Sequence, residues 1–460
     1  MTTTSVSSEP LSSNYLSSYT SSTSFHSFPR RQSIYGTEDR VVLDIGSLYI
    51  KCGFSGESHP RHVVSTSSRL QQSVGREGES YRMDDEPAEL YDLDFMMKSD
   101  LAQLEEKLKR LLHDIYYRLL LTDPKSRKVV LTESPLAPIA LKSTLADLLF
   151  HHFQVPSICF VPTHLMALLT TGTTTGLVID CGNLETSILP IYAARPLIPH
   201  ITTTPLAGRA IGQRLKTLLL EHARYIPPSH LHSSLAPHTN VPESALTFEV
   251  IEDIKATVLF CSPLLVSIEQ QNDTITAYKN LSSATDTYYP LPLKDGTNAT
   301  LLIPGWIRER AADVLFEGSD EDEPSITHSV LDAMLKVQPD LRKPLMQSLL
   351  VIGGTSMLPG FHSRLKQELL RVMRDPTTYE RKRYGSLLGL HKWVLFVDRS
   401  ENNPGAGRIF MNNIRGWIGG SLLGSLKLSV EELVREKYKG TITDWSLNRW
   451  GSSTPSNTAD

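Results

Sequence analysis

Three short apolar runs end in residue types suited to holding a phosphate. They are Asp44-Ile45-Gly46-Ser47, Asp180-Cys181-Gly182-Asn183 and Gly353-Gly354-Thr355-Ser356. Glycine at a strand end lets backbone N–H groups approach an anion with no Cβ in the way. Asp44 and Asp180 can hold a hydrated divalent cation, whose charge offsets that of a phosphate. A Gly-Gly turn that opens a helix can pack closely against a base or a sugar. Each motif alone is an ordinary turn; three in this order at these separations form a stronger signal.

The elements that position these turns follow from hydrophobic patterning. Val41-Val42-Leu43 leads into the first turn, and Lys51-Cys52-Gly53-Phe54 follows closely enough to make a hairpin. Leu104, Leu108, Leu111, Ile115 and Leu119 repeat at helical spacing, and that helix ends before Asp123-Pro124. Val129-Val130-Leu131 reads as a buried strand, with a helix over about 139–152 and a strand at Ser157–Phe160 after it. Leu177-Val178-Ile179-Asp180-Cys181-Gly182 repeats the strand-Asp-x-Gly pattern of residues 42–46, Asp180 lying 136 positions after Asp44. Two copies of one signal predict a duplicated α/β unit. A helix around Val330–Val337, the strand Leu349–Ile352 and a helix from about Gly360 complete the pattern.

Composition limits what such a chain does. Its 460 residues carry 46 Lys plus Arg against 50 Asp plus Glu, a net charge of −4. That balance argues against a broad nucleic-acid-binding surface. No apolar run approaches a membrane span, no signal-peptide core is present, and four widely spaced cysteines fit a reducing compartment. The expectation is a soluble intracellular protein with no direct nucleic-acid or membrane partner. The first 25 residues hold fifteen Ser or Thr and predict disorder. Residues 66–100 suggest a variable surface lobe. His230, His232 and His238 read as solvated loop histidines, and the acidic run 317–323 as a solvated loop.

The ordered set resembles the actin family, within the superfamily shared with sugar kinases and the large heat-shock chaperones. The resemblance rests on the three turns and on Lys51–Gly56, Leu131–Leu136, Thr174–Gly182, Pro190-Ile191-Tyr192 and Asp253-Ile254-Lys255. Ile352–Gly360 and Trp417–Ser421 carry it to the far end. It implies an α/β fold of actin-like duplicated domains around a nucleotide cleft. The implied limits are a tail over 1–38, a small domain over 39–172 completed by about 380–450, a large domain over 173–379, and a flexible end over 451–460. It also implies ATP or ADP with Mg2+ as ligand. Asp44, Gly46, Ser47 and Lys51 then fall on the first phosphate loop, Asp180 and Gly182 on the second, and Lys255, Gly353, Gly354 and Thr355 on the nucleoside side. Asp44 and Asp180 hold the metal through water. For Lys51 and Lys255 the alternative is a plain salt bridge.

Several positions depart from the family. Leu48 and Leu184 stand where glycines are usual, Asn183 replaces an acidic residue, and Ala256 replaces a ribose contact. Thr163 and Ser187 fall where a Gln and a His position the attacking water. In-line phosphoryl transfer depends on that positioning, so the expectation is no enzyme. The phrase Lys51–Glu57 with Pro60-Arg61 resembles the actin-related class at the pointed end of dynactin. That likeness implies a cytoplasmic, cytoskeletal cap whose partners are actin-like filament subunits and other dynactin pointed-end proteins. A nuclear actin-related subunit of a chromatin-remodelling complex and an actin-superfamily phosphotransferase remain as alternatives.

Overall fold

Strands that bury both faces read as continuous apolar runs, and alternate side chains then enter different cores. The chain does this twice. A computed structural model describes residues 40–67, 89–92, 98–228, 239–264, 279, 281–293, 298–318, 322–397, 410–426, 431–440 and 442. The expectations for the tail, most of the 66–100 lobe, the three loop histidines, residues 319–321 and the 451–460 end fall outside them.

The first sheet has six strands in the order β14 (Leu433–Val434), β5 (Ser157–Pro162), β4 (Val129–Glu133), β1 (Val41–Ile45), β2 (Tyr49–Phe54) and β3 (His62–Ser65). Along β1, Val41, Leu43 and Ile45 enter one core. That core is closed by Leu104, Leu108, Leu111 and Ile115 of the helix Lys98–Asp114 and its continuing turn Ile115–Leu119. Val42, between them, faces a second core with Val130, Cys159, Val161, Met166, Trp417 and Ile418. Each fully buried aliphatic chain there contributes about 1.5–3 kcal/mol of apolar transfer energy.

The second sheet runs β13 (Leu349–Ile352), β6 (Gly176–Cys181), β7 (Thr186–Tyr192) and β8 (Arg195–Pro196), with β9 (Thr202–Thr204) also on β7. Leu177 and Ile179 enter the largest core, whereas Val178 packs with Leu189, Leu350 and Ile352 on the opposite face. The local plan is that of the first sheet. β1 pairs antiparallel with β2 and parallel with β4; β6 pairs antiparallel with β7 and parallel with β13. Gly46 N donates to Tyr49 O at 3.0 Å, and Gly182 N donates to Glu185 O at 3.1 Å, so the two hairpin turns close alike. A three-stranded sheet, β10 (Arg224–Ile226), β12 (Asn298–Ile303) and β11 (Thr287–Pro292), packs into the largest core through Leu291, Leu301 and Ile303.

The helix Arg415–Ser425 ties the late chain to the first sheet. Trp417 is fully buried, and its indole Nε1 donates to Val42 O at 3.1 Å. At Gly419 a Cβ would lie 2.0 Å from the Met166 carbonyl oxygen, so the helix lies against Thr163–Leu169 only because that position is glycine. The helix at 326–336 starts four residues before the expected Val330, because Ser325 caps it by accepting from His328 N.

Candidate functional site

The second and third turns meet through the strand register. Ile352 stands opposite Asp180, so Gly353 follows directly beside the second turn. Gly353 has φ +91°, and a Cβ there would lie 2.2 Å from Cys181 O and 2.6 Å from Asp180 Oδ1. Both its conformation and its surroundings therefore require glycine. Gly354 is exposed and open on the side where a Cβ would stand. Thr355 Oγ1 donates to Gly182 O at 2.6 Å, and Gly208 N donates to the same oxygen at 3.1 Å.

At the first turn, Asp44 faces Lys51 across the β1–β2 hairpin, and Lys51 Nζ donates to Asp44 Oδ2 at 2.7 Å. Ser47 is buried, and its carbonyl accepts from Thr66 Oγ1 at 2.9 Å and from Leu90 N at 2.6 Å. Leu48 and Leu184 are both buried. Lys255 Nζ donates to Gly208 O at 3.1 Å and to Glu252 Oε1 at 2.5 Å, while Ala256 is exposed. Both lysines are thus engaged in the ion pairs that were the plainer reading.

Electrostatics joins the first two turns. Burial, then the Asp44 charge, pushes the Asp180 carboxyl up to about 6, with Lys51 opposing. Burial, then Asp180, pushes Glu185 up to about 7. Tyr91, half-buried against the first core, has its hydroxyl pKa raised by burial and by Glu185, Asp180 and Asp44 in turn. No sequence motif marks Glu185, a carboxyl two residues after Asn183 that joins this cluster.

Thr163 and Ser187, which the resemblance sets at the positions for water activation, are engaged elsewhere. Thr163 opens the helix Thr163–Leu169 and is buried against the Arg415–Ser425 helix, its Cγ2 being 2.4 Å from where a Gly416 Cβ would stand. Ser187, opposite Asp180 on β7, lies with its Oγ 3.0 Å from His164 Nε2. His164 is wholly buried, and that burial, only partly opposed by the Ser187 backbone, lowers its pKa to about 4, so the ring is neutral at pH 7. Its position next to Thr163 was the one signal that could have drawn attention to it. A cavity of about 420 Å³ lies elsewhere, lined by Thr66, His152 and the charged face Glu106–Arg118; it includes none of the strand-end residues.

The sequence profile of actin matches residues 36–439. The chain belongs to the actin family. It is 28% identical over 425 residues to "Actin-related protein 10" of Dictyostelium discoideum, covering 85% of this chain and 83% of that protein. It is 26% identical over 415 residues to "Putative actin-29" of the same organism, covering 86% of this chain and 93% of that protein. The fold is the α/β actin fold, and the chain is an actin-related protein.

The actin fold holds a nucleotide with Mg2+, and the residues present fit that ligand unequally. Burial, and after it the charge of Asp44, disfavours the ionised Asp180 carboxyl, and a divalent cation beside the two carboxylates would offset both effects. Asp44 and Asp180 would hold it. Lys255 and Thr355, which the resemblance sets on the nucleoside side, already make short internal bonds. A nucleotide contacting them must compete with those partners.

Proposed function

We propose that this protein is a non-catalytic actin-related subunit of dynactin. It caps the pointed end of the short actin-like filament and supports dynein-driven transport on microtubules. The observation that carries the reading is the stretch resembling that class, which folds as one knot. Arg61 stacks 4.5 Å over the Phe54 ring, and its Nε donates to Glu57 Oε1 at 2.7 Å. Glu57 Oε2 accepts from Phe54 N, and Glu57 O accepts from Ser421 Oγ at 2.8 Å. The knot thereby fastens the first hairpin to the Arg415–Ser425 helix. The likeness to Actin-related protein 10 and the altered residues Thr163 and Ser187 support a subunit retained for its shape.

Its place is then the cytoplasm and its cytoskeleton, its partners the actin-like filament subunits and neighbouring pointed-end proteins. Among the described residues, no helix is long and apolar enough to cross a membrane. Native affinity purification from cytosolic extract, sized by sedimentation and identified by mass spectrometry, tests the reading. A large assembly with an actin-like filament protein and dynactin subunits is expected. Recovery with chromatin-remodelling subunits and histones would overturn it.

A further inference from the structure

Residues 89–92 touch both phosphate turns. Leu90 is buried in the first core beside Leu43 and Ile45, and its N–H donates to Ser47 O at 2.6 Å. Lys107 Nζ donates to Glu89 O at 3.1 Å, fixing the segment to the helix Lys98–Asp114. From that anchorage the acidic side chains reach the second sheet's side. Asn183 Nδ2 donates to Glu89 Oε1 at 3.5 Å, and Arg209 makes a two-pronged pair with Asp92 at 2.9 and 3.2 Å. Asn183 and Arg209 are themselves linked, Arg209 N donating to Asn183 O at 2.8 Å.

We propose that residues 89–92 are an internal tie that holds the first and second phosphate turns together without nucleotide. Asn183 is the residue that permits it. An aspartate there would set a second carboxylate against Glu89, and like charges that close repel. Asn183 Oδ1 is buried without a hydrogen-bond partner among the described residues, so of its two amide atoms the donor is the one that bonds, and it bonds Glu89. A bound nucleotide joins two turns of this kind by contacting both; here main chain, an amide and a guanidinium do so. A subunit built this way keeps one shape whichever nucleotide is present. The inference rests on these contacts and holds whatever assembly the protein joins.

Hydrogen–deuterium exchange on the full-length chain, freed of nucleotide with EDTA and apyrase, tests the tie. In the wild type, peptides covering residues 44–50 and 180–187 should exchange at the same rate with and without Mg-ATP. Asn183→Asp should speed exchange of both by about tenfold, the scale of coupling between contacting residues. Adding Glu89→Gln to that variant should restore the slow rate, since it removes the repulsion. Asp92→Asn, which weakens the Arg209 pair, should also speed exchange. Wild-type turns that become protected only when Mg-ATP is added would overturn the proposal. So would an Asn183→Asp variant that exchanges as slowly as wild type, or one that Glu89→Gln fails to rescue. If Asn183→Asp alone does not fold, recovery of folding in the double variant is the expected result, and its failure refutes the tie.

Discussion

Ser187 and His164 show how the reach of one side chain limits what a site does with water. A serine hydroxyl lacks the reach of a histidine ring, and here it is paired with a neutral, buried imidazole. Thr163 is likewise packed under a helix. Purified protein incubated with Mg-ATP should therefore release no phosphate above a buffer blank. Turnover that Asp180→Ala abolishes would sink that expectation. A second residue-scale prediction concerns Glu380. Burial alone would raise its carboxyl, but bonds from His328, from Arg371 at 2.8 Å and from Thr377 N at 2.8 Å hold it well below the usual carboxylate range. Below its ordinary value of 4.5 the unfolded chain binds the proton and the folded one does not, so stability falls as the solution is acidified through that window. Glu380→Gln should cost about 1.5–3 kcal/mol near neutral pH and flatten the acid limb of Tm against pH. An unchanged acid limb would mean that these bonds do not hold the charge.

Elements carried most of what was legible beforehand. The strand-Asp-x-Gly repeat, the helical leucines from Leu104 and the Gly353-Gly354 turn are local patterns, and each falls in the expected element. What stayed hidden is long-range. Nothing near Glu185 or Tyr91 in sequence says that they share one electrostatic cluster with Asp44 and Asp180, because that proximity joins residues of two different sheets. Nor did spacing show that Lys51 and Lys255 would find carboxylates first. Glycine at 419 is an element-scale requirement of the same kind. Gly419→Ala should force apart the helices Arg415–Ser425 and Thr163–Leu169 and cost about 1–3 kcal/mol in a denaturant midpoint measurement. An unaffected midpoint would show that the backbones can separate without loss.

For the whole molecule, the prediction follows from the proposed role as a cap, which joins a filament by one face and does not propagate it. The isolated chain in Mg-ATP should stay in the supernatant after high-speed centrifugation, at concentrations where self-assembly of an actin is readily seen. Pelletable filaments of this chain alone would contradict the cap. The duplicated plan of the two sheets bears on the same scale. It gives each half its own apolar core, so divergence at the strand ends, as at Leu48 and Leu184, leaves the scaffold intact.

The packing of Trp417 on Val42 has a consequence in time. These residues are 375 positions apart, yet Trp417 and Ile418 share one buried core with Val42, Val130, Cys159 and Val161. At roughly 5–20 residues per second, a ribosome needs about 20–75 s to make the intervening chain. Throughout that interval this core lacks the part of its cover that Trp417 and Ile418 supply.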